Sequence, residues 1–308
     1  MRFKPLISTL SLLVTTFLLP VSAYAQDDNS NSGQAPTYDV TNKTFYDVFY
    51  DTVEELGLDA NQISIALYDF EADEHYYINE NRVMLGASTT KVGTAAIFTD
   101  LVNQGDLTFD SPIPYNQAMY EAGGGEVTNN PPQDAYALED LIYQMLYHSD
   151  NTAWNLLTNY YYTYYGNYQE ALLYLSGAPI IDDSMYQFNH VTAQVLEGIL
   201  IHIASNPGYE TMIQTMKDAQ TAWLLKAYMP ADPEGAMASK YGYLENYFHD
   251  MGIYYHQDQP VYALVVMTDG LPLEYLGVEN EFFGYLNVRY HDWVQSSDII
   301  AKTQSSSN

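Results

Sequence analysis

The 308-residue chain contains no cysteine. Disulfides are therefore excluded, as is an N-terminal cysteine carrying lipid. Basic residues are also scarce. Ten Lys and Arg stand against 39 Asp and Glu, for a formal net charge of −29. So acidic a chain, with no basic patch, repels nucleic acid and anionic membrane, and neither is expected as a partner. Long apolar runs are missing apart from Leu6 to Pro20, which Arg2 and Lys4 precede and Ala23-Tyr24-Ala25 follows. That is the pattern of a cleavable signal peptide over 1–25; the run is short for a membrane span. An extracytoplasmic protein with no integral membrane segment after leader cleavage is expected. Metal-ligand spacing is also lacking: His249 and His256 stand seven apart across an expected strand, and His190 and His202 do not pair usefully. Neither a metal nor another cofactor is expected.

Tyrosine, by contrast, is abundant, with 31 residues and runs such as Tyr160-Tyr161-Tyr162 and Tyr164-Tyr165. Such runs suit either a carbohydrate platform or half-buried surface, where the ring packs and the hydroxyl stays wet. The acid excess likewise reads as adaptation to salty surroundings or as solubility alone. Neither feature decides a function.

Patterning gives the organisation. Residues 26–40 read as a polar, disordered spacer, 41–300 as one domain and 301–308 as a polar tail. Phe45 to Leu58 has the period of an amphipathic helix. Ile63–Tyr68 and Glu74–Ile78 read as strands joined by a short acidic turn. From Ser88 to about Tyr228 the chain is mostly helical in pattern. Ala236–Tyr243, Phe248–Tyr255 and Val261–Thr268 read as three more strands, and Glu279 to Ser296 as a closing helix. Strands at both ends with helices between predict an α+β fold: an antiparallel five-stranded sheet built from both termini, with flanking helices and an inserted helical subdomain. A cleft between the two parts is expected to hold the site.

Two short motifs carry chemistry. Ser88-Thr89-Thr90-Lys91 is followed sixty-one residues later by Ser149-Asp150-Asn151. A serine hydroxyl is a poor nucleophile at neutral pH and needs a base beside it. On a helix, residues three apart share a face, so Lys91 can reach the Ser88 hydroxyl. Val92 to Gly105 is apolar enough for a buried helix that Ser88 would open, where free N–H groups favour an oxyanion. An N-capping serine with a surface lysine explains S-x-x-K alone equally well. The downstream S-D-N shifts the balance, and Lys240-Tyr241-Gly242 adds a third element, a K-T-G with its Thr replaced.

With these three motifs the chain resembles the class A β-lactamase and penicillin-binding serine hydrolases, over roughly residues 40 to 300. Leu85 to Lys91 is similar to the nucleophile segment of that family, Gly105 to Pro112 to the turn after its central helix, and Leu141 to Leu157 to the helices around its second motif. The resemblance implies Ser88 as nucleophile, Lys91 as base, and Ser149 as proton relay to the leaving nitrogen. It implies Asn151, Lys240, Tyr241 and Gly242 as substrate-binding residues, and the backbone N–H groups of Ser88 and Tyr243 as the oxyanion hole. Asp150 is expected to brace its loop. The substrate implied is a small β-lactam or a D-Ala-D-Ala-type peptide, acted on by a monomer.

Two departures qualify that reading. Tyr241 replaces a Thr or Ser whose hydroxyl helps hold the substrate carboxylate in the family. Between Ser176 and Asn189 the chain is short and has no Glu, although the class A enzymes carry a Glu there, with Asn four residues on, to activate the deacylating water. Asp182 and Asp183 are followed at that spacing by Tyr186 and Gln187. The expectation is an acylating enzyme that releases its acyl group slowly, or that uses these aspartates differently. The competing expectation is a binding protein on a degenerate hydrolase fold. His148, beside Ser149, reads as a helix-end residue, because Lys91 already supplies a base.

Overall fold

The computed structural model describes residues 35–220 and 222–296; the expected leader and polar tail lie outside the described residues. Thr44 opens the first helix with a capping box, its side chain on the Asp47 N–H and the Asp47 carboxylate on the Thr44 N–H. The α-helices and strands then run α1 (Phe45–Glu55), β1 (Ile63–Asp69), β2 (Glu74–Ile78), β3 (Met84–Leu85), α2 (Thr90–Gln104), β4 (Pro112–Pro114), α3 (Glu126–Asn129), β5 (Ala135–Ala137), α4 (Leu138–Tyr147), α5 (Asn151–Tyr164) and α6 (Tyr168–Ser176). They continue with β6 (His190–Val191), α7 (Ala193–Ser205), α8 (Glu210–Asp218), β7 (Gly235–Leu244), β8 (Tyr247–His256), β9 (Gln259–Asp269), α9 (Leu273–Leu276) and α10 (Glu279–Gln295).

The five long strands form one antiparallel sheet in the order β2-β1-β9-β8-β7. This is the expected α+β architecture, with the N-terminal hairpin and the C-terminal meander joined through β1 and β9. Alternate side chains of the central strands enter different cores. Ala263, Val265 and Met267 face the helical subdomain, whereas Tyr262, Leu264 and Val266 face α1 and α10. Burial on both faces explains why β9 reads as a continuous apolar run.

The helical subdomain is organised around α2, which is buried over most of its length. Gly93 lets α6 and α7 close on it: a Cβ there would meet Leu172 Cδ1 at 2.2 Å and Ile199 Cδ1 at 3.0 Å. Gly105, at φ 85°, ends α2 by turning its N–H back onto the Leu101 and Val102 carbonyls.

On the other face α1 and α10 lock the termini together. Trp293 Nε1 donates to Lys43 O at 2.9 Å, and Phe45 stacks on Tyr290 at 5.0 Å. Buried Arg289 on α10 donates to Thr52 Oγ1 at 2.8 Å and Glu55 Oε2 at 2.6 Å, and lies 4.4 Å over the Tyr38 ring. Tyr38 and Val40, at the end of the expected spacer, thus pack on this layer.

Replacing Arg289 by Ala removes these contacts together. We expect a loss of roughly 2–4 kcal/mol, read as a lower denaturant midpoint at unchanged slope. Lys at 289 should restore less than half of it, because an ammonium cannot bridge both acceptors as the planar fork does. A midpoint unchanged in Arg289→Ala would show that the α1–α10 layer does not depend on this residue.

Candidate active site

Ser88 lies in a single 3₁₀ turn, Ala87–Thr89, directly ahead of α2. The serine segment therefore lies in the 3₁₀ turn ahead of the α-helix proper, not inside it. The preceding Ala87 is held at φ 49°, a left-handed conformation that costs energy for a residue with a Cβ. Asn189 maintains it from outside. Its carbonyl accepts the Gly86 N–H at 2.8 Å, its Oδ1 accepts the Thr90 hydroxyl at 2.9 Å, and its own N–H goes to Gln169 Oε1 at 3.1 Å. Gln169, fully buried on α6, also donates to the Met185 and His190 carbonyls. The short segment expected to lack a deacylating Glu is thus stitched from within and holds the serine turn.

Lys91 is fully buried on the first turn of α2. Its amine donates to Ser149 O at 2.7 Å, Ser149 Oγ at 3.2 Å and Asn151 Oδ1 at 2.7 Å. Among the described hydrogen bonds none joins it to Ser88 Oγ. Burial first, and then the positive Lys240, push its proton affinity well down. Lys240, on the edge strand β7, is 3 % exposed and donates to Ser149 Oγ at 3.1 Å and Tyr241 O at 3.0 Å. Burial lowers it to about 7, with Asp250 opposing that shift. The Ser149 hydroxyl therefore sits between two amines, both biased toward neutrality.

The Ser149 turn is built to aim its carbonyl and hydroxyl at one point. Ser149 is itself at φ 58°. Asp150 caps α5 through the Ala153 N–H at 2.9 Å and takes the Thr128 N–H at 3.0 Å and hydroxyl at 2.7 Å. It is committed to bracing, as expected. The Gly123-Gly124-Gly125 loop presses on the same turn. A Cβ at Gly124 would lie 2.4 Å from His148 O and one at Gly125 2.2 Å from Asp150 Oδ2. Asn151 also donates to Ala122 O at 3.1 Å, so one amide joins this loop to Lys91.

Gly242 brings β7 against the serine. A Cβ there would meet Ser88 N at 2.8 Å, Thr89 N at 2.9 Å and Gly86 O at 3.0 Å, all backbone. Tyr243 follows it on the same edge strand. Tyr241 points to the opposite face of the sheet, packing edge-on to Trp223 at 4.7 Å, while the Lys240 amine lies 4.3 Å over its ring. The ring thus takes a packing role where a small hydroxyl side chain would leave space. Ser149, Lys91, Asn151 and Lys240 are joined by hydrogen bonds, and Gly242 sets β7 against the backbone of Ser88.

Several residues of the site gave no sequence signal. Trp154 lays its ring 5.5 Å from the Lys91 amine, is fixed by Nε1 on Thr94 Oγ1 at 2.8 Å, and stacks on Phe188 at 5.2 Å. His249, read as one of several unpaired histidines, is fully buried beside the serine segment. Its Nδ1 accepts the Thr268 N–H at 3.1 Å, so Nε2 carries the proton and donates to Leu85 O at 2.8 Å. The glycine triplet was visible in the sequence; what it packs against was not.

A model of the beta-lactamase enzyme family matches residues 49–281. The chain belongs to that family, and its fold is that of the β-lactamase-like serine hydrolases. Similar solved structures include a beta-lactamase from Sphaerobacter thermophilus, at 18% identity and a TM-score of 0.67 over 84% of this chain and 98% of that one. A mutant of PBP-A in an acyl-enzyme complex with penicillin G superposes with a TM-score of 0.66 at 16% identity, over 82% and 98% of the two chains. A beta lactamase from Burkholderia vietnamiensis gives 0.67 at 15%, over 82% and 97%. A search of curated proteins gives no match.

The His249 geometry has a pH consequence. Burial depresses its imidazole to about 4, below the ordinary value of 6.5. The unfolded chain then binds more protons between those values, so the stabilisation is full above about pH 6.5 and is lost as pH falls through about 4. We expect this residue alone to contribute on the order of 3 kcal/mol to that fall. Denaturant unfolding at pH 7 and pH 4 measures it, and nitrogen NMR of the imidazole should show the Nε2–H tautomer persisting below pH 5. A ring that titrates near its ordinary value would refute the assignment.

Proposed function

We propose that this protein is a secreted serine hydrolase of the class A β-lactamase type, in which β-lactams acylate Ser88. The observation that carries the reading is the buried Lys91 amine, held on Ser149 and Asn151 with Lys240 on the far side of the same Ser149 hydroxyl. An ammonium donates all three of the bonds Lys91 makes. When it loses its proton, the Ser149 contact reverses and the hydroxyl donates to the amine. The neutral amine then turns to Ser88 Oγ and takes its proton as the oxygen attacks the amide carbonyl. Ser149 passes a proton from the Lys91 side to the leaving nitrogen, with Lys240 stabilising charge on the other side. The carbonyl oxygen is received by the N–H groups of Ser88 and Tyr243, on the two backbone segments that Gly242 brings together. Asn151 holds the amide of the substrate and Lys240 its carboxylate. No described helix is long and apolar enough to cross a membrane, which is compatible with export through the expected leader.

The aromatic wall of Trp154 and Phe188 beside Lys91 favours a second reading of the same site. Trp154 lies against the amine and Phe188 stacks on Trp154; in this reading the rings keep water from the acyl group, so acylation outpaces release and the enzyme behaves like a penicillin-binding peptidase acting on D-Ala-D-Ala-type peptides. A purely binding protein is disfavoured, because burying two amines is costly and a ligand-binding scaffold gains nothing from it.

Intact-mass spectrometry after incubation with benzylpenicillin tests the proposal. The wild type should gain a covalent adduct, or consume the penicillin, and Ser88→Ala should do neither. Lys91→Met should slow acylation by about 10²-fold or more. In the wild type acylation should fall as pH drops, because the base works deprotonated and its affinity for the proton lies below the ordinary lysine range. Intact penicillin and an unmodified wild-type protein would reject the reading. Gly242→Ala provides a second check. Its new methyl has only backbone to displace, so acylation should slow on the order of 10²-fold and the thermal midpoint should fall as the serine turn is pushed from β7; unchanged acylation would remove β7 from the mechanism.

A further inference from the structure

Release of an acyl group from Ser88 requires a water molecule and a group to take its proton. The two carboxylates whose charge acts on the Lys91 amine are Asp150 and Glu121. Asp150 is fully buried and its oxygens already accept three hydrogen bonds from Thr128 and Ala153. Asp182 and Asp183, the aspartates of the short segment without a Glu, are both exposed, and Asp182 is engaged by Ser184. Glu121 differs from them. Its backbone is fixed to α5, the N–H donating to Thr152 Oγ1 at 3.2 Å and the carbonyl accepting from the same hydroxyl at 3.1 Å. Its carboxylate is solvent-facing and anchored through Oε2 alone, by Asn155 Nδ2 at 2.9 Å. Asn155 lies four residues after Asn151 and so shares its helix face. Asn151 in turn reaches Lys91 with one end of its amide and Ala122, the neighbour of Glu121, with the other. The carboxylate is therefore anchored one helical turn along α5 from the residue that holds the Lys91 amine, and Oε1 makes no described hydrogen bond.

From this placement we propose that Glu121 is the general base that releases the acyl group from Ser88. The inference rests on the acylation reading above. Glu121 Oε1 takes a proton from water as the water oxygen bonds to the acyl carbonyl carbon. Collapse breaks the bond from that carbon to Ser88 Oγ, which takes a proton from the Lys91–Ser149 pair. Glu121 returns its proton to that pair through solvent, so the products are the free acid and the restored serine. A base held by one hydrogen bond, a helical turn from the Asn151–Lys91 contact, releases slowly.

The test follows the benzylpenicillin adduct by mass spectrometry in the wild type, Glu121→Gln and Asn155→Ala. Glu121→Gln should acylate within about threefold of wild type, while its adduct lasts about 10²-fold longer; Asn155→Ala, which frees the carboxylate without removing it, should show a smaller delay. Hydroxylamine, which needs no base to attack an ester, should restore release in Glu121→Gln and so distinguish a missing base from a damaged cleft. An adduct lifetime in Glu121→Gln equal to that of the wild type overturns the Glu121 proposal and leaves acylation standing. A delay that hydroxylamine does not relieve overturns it too. A wild type that is never acylated and hydrolyses nothing overturns the acylation reading, and Glu121 falls with it.

Discussion

Lys91 and Lys240 are both withdrawn from water on opposite sides of the Ser149 hydroxyl, and the cost of burying an amine sets the terms for everything around them. Lys91 must find three acceptors within reach of its short arc on α2. Two belong to Ser149, which is why that residue is twisted to φ 58°, and the third is Asn151. A twisted turn needs bracing, and Asp150 supplies it from inside while the glycine triplet closes on it from outside. The strain and the glycines are therefore consequences of one requirement, the solvation of a buried amine by protein atoms in place of water. Incomplete solvation leaves the amine able to give its proton away, which is the property its proposed role as a base requires.

Lys240 reaches the same hydroxyl from the sheet, so the register between β7 and the serine turn has to be fixed to within a fraction of an ångström. Gly242 removes the obstacle and His249 supplies the tie. His249 is paired with Gly242 across β7 and β8, and its neutral ring spans from the Thr268 N–H on β9 to Leu85 O, three residues before Ser88. Burial under both cores makes the sheet stiff enough to carry that tie. Asp250, next to His249, is pushed up to about 7 by burial and offsets part of the positive charge of Lys240.

The sheet and the three motifs were readable because both rest on local pattern. Strand ends fell within two residues, since alternation and turn residues mark them, and Gly242 stood out as part of a motif. The reach of Lys91 was legible only in part. Helical spacing predicts contact with Ser88, yet the amine prefers three acceptors on the Ser149 turn, and competition between acceptors sixty residues apart is invisible to periodicity. Asn189, Gln169, Trp154 and His249 act through tertiary contacts and share no spacing with the motifs, so a single sequence offers nothing to find them by. Tyr241 was legible as a departure, but its turn toward Trp223 on the far face follows from the pleat and the packing behind it.

The composition takes on meaning only once the burial is known. Of ten basic residues, Lys91, Lys226, Lys240 and Arg289 are buried. Lys226 caps a helix end from within, on the carbonyls of Met216, Lys217 and Ala219, and Arg289 ties α10 to α1. Four acids, Asp69, Asp150, Glu197 and Asp250, are buried as well, so the surface keeps the whole of the acid excess. In the proposed reading, an anionic substrate is then repelled at long range and attracted only close to Lys240, where screening is weak. Such a field gives no help in bringing carboxylates to the site. In that reading contact is what holds them, and the contacts depend on how far two crowded amines remain charged.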